Sequence, residues 1–243
     1  SGVWIMAYTT IDDPSAHFNT VLWSGNSSTQ SITGVGFQPD FVWLKSRTNS
    51  ASHRLNDSNR GVNKQLASDS TDDESSFTTM LTSFDSDGFT LGNNVGINGT
   101  GYTNVGWNWK ANGGTTSSNS DGTITSTVQA NTTAGFSIVT YTGNATNGAT
   151  IGHGLGAVPQ VIIKKNRADN GTEWNVYHHS IGNTKSLFLN TTEAETTESA
   201  YNNTSPTSSI QTINGSGANN GDGDNMIAYF FTPIKGYSKF GSY

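Results

Sequence analysis

The chain says one thing twice. "FNTVLWSGN" (Phe18 to Asn26) returns as "FSIVTYTGN" (Phe136 to Asn144), an offset of 143 − 25 = 118 residues. "GVGFQPDFVWLKSR" (Gly34 to Arg47) returns as "GHGLGAVPQVIIKKNR" (Gly152 to Arg167). Gly36, Pro39, Val42, Lys45 and Arg47 thereby pair with Gly154, Pro159, Ile162, Lys165 and Arg167. A third match closes each copy: "NVGWNWKANGG" (Asn104 to Gly114) corresponds to "NMIAYFFTPIKG" (Asn225 to Gly236), with Trp107 over Tyr229. Three matches in the same order at nearly constant spacing require one structural unit built twice. The joint is "ANGGTTSSNSDG" (Ala111 to Gly122), small, polar and almost uncharged as linkers are. We expect two tandem domains, 1–115 and 116–243.

Each copy reads as strands. β-Branched and aromatic residues fill short runs that stop at Gly-Asn or at basic residues, and a proline opens the "QVIIKKNR" and "DFVWLKSR" runs. "FDSDGFTLG" (Phe84 to Gly92) reads as strand, Asp-Gly turn, strand. No segment carries apolar residues at helical spacing over three turns, and the threonines of "TTEAETTESAY" (Thr191 to Tyr201) disfavour even a short surface helix. With no helices to cover a parallel sheet, the expected fold class is all-β. It consists of two tandem antiparallel β-sandwich domains, with jelly-roll or concanavalin-like topology as the first expectation. The strand-like start "VWIMAYTT" (Val3 to Thr10) is expected to close the first sheet or to pair with a neighbouring subunit.

Composition narrows the function classes. Only 32% of residues are hydrophobic and 12% charged, yet aromatics reach 10% and the net charge is only −6. Disordered chains combine low hydrophobicity with high charge and few aromatics, so this chain folds. It has no cysteine, which removes disulfides, thiolate metal sites and Cys nucleophiles. No apolar run reaches the roughly 20 residues of a membrane-crossing helix, so no membrane insertion is expected. A pI near 5.2 without a Lys/Arg cluster speaks against nucleic acid as a partner.

The repeat also tests candidate chemistry. His153, between two glycines, invites a catalytic reading, but its counterpart is Val35. A position that accepts valine needs no proton chemistry, so His153 is expected to fill a strand end. His178 and His179 are adjacent, and on a strand they would face opposite ways; His17 and His53 lack ligand-spaced neighbours. The acids cluster at Asp12-Asp13, at "DSTDDE" (Asp69 to Glu74), at Asp85 and Asp87, and at "GDGD" (Gly221 to Asp224). They read as solvated turn acids without the full spacing of a calcium loop. There is no nucleophile elbow or phosphate loop. Neither catalytic residue, metal nor cofactor is therefore expected. The aromatics carry more weight: Trp107 and Trp109, at i and i+2, share one strand face, and Trp174, Tyr177 and His178 cluster in the second copy. These five are candidates for a carbohydrate-stacking face, with hydrophobic core as the alternative.

The quoted phrases "YTGN…HGLGAVPQVIIKKNR", "EWNVYHHSIG", "SLFLNTTEA" and "GYSKFGSY" resemble a repeat of large virion proteins from tailed bacteriophages, especially marine phages. The resemblance runs from about Phe18 to Tyr243. The first copy departs from it where Val35 and Phe37 stand for His153 and Leu155. It implies lectin-like β-sandwich units in tail fibres, tail-associated proteins or head appendages, and carries no catalytic set. The expected protein is a non-enzymatic structural component of an extracellular particle, assembled with other virion subunits and as a homo-oligomer, with host-surface glycan as a further partner. The alternative is a glycan-binding module of a receptor-binding or secreted bacterial surface protein.

Overall fold

The repeated β-branched and aromatic runs quoted from both copies become strands in the structure, a computed structural model that describes residues 9–242. The first copy runs β1 (Phe18–Ser24), β2 (Gln30–Thr33), β3 (Phe41–Ser46), β4 (Arg54–Asp57), β5 (Lys64–Ala67) and β6 (Ser75–Ser76). A hairpin, β7 (Leu81–Asp85) and β8 (Gly88–Leu91), precedes the one-turn helix α1 (Val95–Asn98) and β9 (Thr103–Trp109). The second copy opens on β10 (Ser117–Asn119) and β11 (Ser126–Asn131), then β12 (Phe136–Thr142), β13 (Ala149–Gly152) and β14 (Val161–Asn166). It continues through β15 (Asn175–His178), β16 (Lys185–Phe188), β17 (Thr196–Thr197) and β18 (Ile210–Ile213) to α2 (Gly217–Asn220) and β19 (Asn225–Phe231). The segment 191–201 is not helical, as its threonines require. Of "VWIMAYTT", all but the last two residues lie outside the described residues.

Pairing is antiparallel in every ladder between these strands. The two large sheets are ordered β1-β9-β3-β4-β5-β6 and β10-β11-β12-β19-β14-β15-β16-β17. From β12 onward the second repeats the first strand for strand. Registers agree as well: Trp107 lies between Thr20 and Trp43, and Tyr229 lies between Ile138 and Ile163. The small sheets are β2-β8-β7 and β13-β18. The β7–β8 hairpin forms where expected, but its turn residues are Ser86 and Asp87, because Asp85 already pairs with Gly88.

Strand alternation gives each large sheet two apolar faces, and both are used. Outward, Ile32, Phe89 and Leu91 of the first small sheet cover Val21, Val42 and Leu44. Ile151 and Ile213 likewise cover Val139, Ile162 and Phe230. Inward, the two large sheets pack on each other: Phe41, Leu55 and Leu66 meet Phe136, Ile138, Trp174, Ile227 and Tyr229. The Phe41 ring lies 4.4 Å from that of Tyr229 and 6.0 Å from that of Phe136. The described residues form a four-layer stack with three cores, one for each half and one shared.

Polar bonds reinforce the shared seam. The Arg60 side chain is fully buried; its Nε donates to Asp57 Oδ2 (2.6 Å) and its Nη1 to Glu74 Oε2 (3.0 Å). Tyr229 of the other half donates its hydroxyl to the same Asp57 oxygen at 2.7 Å. Arg167 grips Glu74 with Nε (2.8 Å) and Nη2 (2.9 Å). This corrects the reading of "DSTDDE" as wholly solvated: Glu74 is a nearly buried bridge between the halves, which no local spacing reveals. Burial alone would raise its pKa, but Arg167 and Arg60 outweigh it and hold the carboxyl below its ordinary value.

The repeated phrase now has a structural meaning. Lys45 and Lys165 turn back to close the loops that follow their strands. Lys45 Nζ donates to Ala51 O, and Lys165 Nζ donates to Asp169 O (3.0 Å) and Thr172 O (2.9 Å). Val35 and His153 are both fully buried. His153 stacks on Phe230 at 5.1 Å, accepts from Leu155 N at Nδ1 (3.3 Å) and lies 3.2 Å from Thr207 O at Nε2. Those partners fix the neutral Nε2–H tautomer, and burial, outweighing the Thr207 hydrogen bond, lowers the pKa below its ordinary value.

Candidate aromatic trough at the seam

The second large sheet leaves part of the first one's inner face open among the described residues. Opposite partners in a ladder share a face, so Phe18, Trp109 and Phe41 form one row, and Thr20, Trp107 and Trp43 form the next. Phe41 is covered by the second sheet, whereas Phe18, Trp43, Trp107 and Trp109 remain half-buried. A cavity of about 280 Å³ opens where Phe18 and Trp109 meet Phe136, Phe231, Tyr237 and Phe240. A shallower cleft of about 300 Å³ continues over Phe18, Trp109, Trp107, Trp43 and His53. Sharing Phe18 and Trp109, the two make one trough.

Ring contacts hold its floor. Phe18 and Trp109 are 4.8 Å apart, Trp109 and Phe136 6.3 Å, and Phe136 and Phe231 5.1 Å. Trp43 donates its indole N–H to His53 Nδ1 at 3.1 Å, so the proton of a neutral His53 sits on Nε2. At the other end, Asn131 Nδ2 lies 3.2 Å from His17 Nδ1 and donates to Lys110 O at the same distance. Burial lowers the pKa of both histidines, with Lys110 adding to the effect at His17. Among the described residues, no carboxylate side chain lines either part of the trough. What the arrangement offers chemically is a set of flat apolar faces with a few polar atoms at the rim, the make-up of a stacking site.

The model of one protein family, described as "Domain of unknown function (DUF7483)", matches residues 13–243. The chain belongs to that family. The DUF7483 match spans both halves and the seam, so every residue lining the trough falls inside the family's unit. No curated protein and no solved structure gives a significant match.

Of the five sequence candidates, Trp107 and Trp109 lie in the trough. Trp174 is fully buried in the shared core, where its indole N–H donates to Ala67 O at 2.8 Å. Tyr177 is 4% exposed, edge-on to Tyr201 in the second half's outer core. Neither offers a face to a ligand. His178 is half-buried at the end of β15; the strand stops there, so alternation lapses and its ring lies only 5.0 Å from that of His179. The two rings therefore do not face opposite ways as expected, although no group of three metal-ligating residues exists among the described residues. Phe18, Trp43, Phe231 and Phe240 escaped the sequence reading. The i, i+2 pair Phe41/Trp43 in "DFVWLK" carried the same signal as Trp107/Trp109 and would have found one of them.

Proposed function

We propose that this chain is a non-enzymatic structural module of a bacteriophage particle, in a tail or head appendage, whose aromatic trough contacts glycan on the host surface. The observation that carries the contact is the trough itself, a continuous run of half-buried rings on an otherwise polar, weakly charged body. Stacked aromatic faces with a polar rim suit the alternating apolar and hydroxylated surfaces of sugar rings. The particle assignment draws on the likeness to virion repeats and on the absence of cysteine. It includes assembly with other virion subunits and with copies of itself. The trough equally favours a second reading, a glycan-binding module of a secreted bacterial surface protein.

A glycan array followed by calorimetric titration tests the contact. Binding by the wild type and a loss of at least about tenfold, equivalent to about 1.4 kcal/mol, in Trp107→Ala and Trp43→Ala are expected. A blank array with folded protein removes the glycan reading. Purified virions should contain the chain; finding it only in infected-cell cytosol removes the particle reading.

A further inference from the structure

The strand β14 carries two successive lysines whose fates differ. Lys165 faces the seam and its Nζ makes four hydrogen bonds, to Thr71 O, Asp169 O, Thr172 O and Thr172 Oγ1. Lys164 faces the outer core of the second half, is fully buried, and its Nζ makes no hydrogen bond among the described residues. The equivalent position in the first half is Leu44, also fully buried. An apolar site has thus received an amine, a costly exchange unless the amine has a use.

Its surroundings suggest one. Lys164 is the direct ladder partner of Asn175, which is 3% exposed. The Lys164 Nζ lies 4.6 Å from the centre of the Tyr201 ring. The Tyr201 hydroxyl donates to Asn175 Oδ1, while Asn175 Nδ2 donates to Glu198 Oε1 and, at 3.1 Å, to Ser186 Oγ. Burial lowers the lysine's pKa to about 7, against the opposing pull of Glu198. A substantial fraction of Lys164 is therefore the neutral, nucleophilic amine near neutral pH. The amide it faces already has a donor on its oxygen and a carboxylate on its nitrogen.

We propose that Lys164 and Asn175 join in an intramolecular isopeptide bond, with Glu198 carrying the protons and Tyr201 holding the amide oxygen. In the forward step the lone pair of Nζ attacks Asn175 Cγ, and negative charge develops on Oδ1 against the Tyr201 hydroxyl. Glu198 takes a proton from the attacking nitrogen and delivers it to Nδ2. The Cγ–Nδ2 bond breaks, one ammonia leaves, and the new Cγ–Nζ amide keeps one hydrogen. Nothing is oxidised or reduced. The product replaces a buried amine that lacks a hydrogen bond among the described residues with a neutral amide, so the reaction removes the unfavourable group that drives it. The ladder holds Lys164 and Asn175 opposite each other on one face of adjacent strands, the arrangement from which such a step can be reached.

Intact mass spectrometry of the folded full chain, incubated above the lysine's depressed pKa, is the test. The expected mass is that of the sequence less one ammonia, with a branched tryptic peptide joining Lys164 to Asn175. Asn-Gly steps such as Asn147-Gly148 can also shed ammonia by closing to a succinimide. Lys164→Leu, which installs the residue found at the first half's equivalent position, separates the two. It should return the full sequence mass, and a deficit that persists in it overturns the proposal. Glu198→Gln keeps the side chain's shape and should leave the bond unformed. A folded wild type that retains its complete mass, or lacks the branched peptide, also overturns it.

Discussion

His153 and Val35 occupy equivalent places, yet only one can titrate. Buried and bonded on both ring nitrogens, His153 stays neutral in the fold, while in the unfolded chain it takes a proton below its ordinary 6.5. Its contribution is therefore complete above that value and is lost as pH falls through the lower folded pKa. We expect His153→Val to be less stable than the wild type by about 1–3 kcal/mol at neutral pH, because Leu155 N–H and Thr207 O lose their partner. Below about pH 6 the variant should lose less stability per pH step than the wild type, by up to about 1.4 kcal/mol per unit. Urea midpoints of both proteins across that range decide the matter; parallel curves would show that His153 does not stay neutral when folded.

At the scale of elements, the Gly-Asn that ends β1 and β12 docks against the helix that precedes each closing strand. Asn26 N donates to Asn98 Oδ1 (3.2 Å) and Asn144 N to Asn220 Oδ1 (2.9 Å). Trp23 and Tyr141 reach the same helices, donating to Ile97 O and Asn219 O. The approach is so close that a Cβ on Gly25 would stand 2.2 Å from Gly99 O, and one on Gly143 2.1 Å from Gly221 O. Glycine is needed there for space. Gly25→Ala and Gly143→Ala should each destabilise by about 1–3 kcal/mol or more. Gly217→Ala, with open space around its Cβ in α2, should be neutral or stabilising by up to about 1 kcal/mol. Chemical denaturation of the three variants tests the contrast, and equal effects would remove the close-approach argument.

For the whole molecule, the shared core and the Arg60–Glu74–Arg167 bridge join the halves into one body. Removing Glu74 leaves Arg60 buried with Asp57 as its one carboxylate among the described residues. Glu74→Ala should therefore cost about 3–5 kcal/mol at neutral pH. The folded pKa of Glu74 lies below its unfolded value, so this stabilisation is present above the unfolded pKa and is lost as pH falls through the folded one. The gap between wild type and variant should narrow in acid. A gap that persists unchanged in acid, read from denaturant midpoints, would mean that the bridge is not electrostatic.

The sequence by itself determined the duplication, the strands, the β7–β8 hairpin and the equivalence of His153 with Val35. Each rests on local pattern or on matching one copy to the other. It also placed Trp107 and Trp109 on a common face, since alternation along a strand is local. Which face meets which was decided only in three dimensions. Alternation says that Lys164 and Lys165 point apart, but not that one enters an outer core beside Asn175 while the other reaches Thr71 across the seam. The same holds for Trp174, drawn into the shared core, and for Glu74, gripped by an arginine from each half. Burial and pairing of these groups depend on contacts between residues distant in the chain, and those exist only once the two large sheets are stacked.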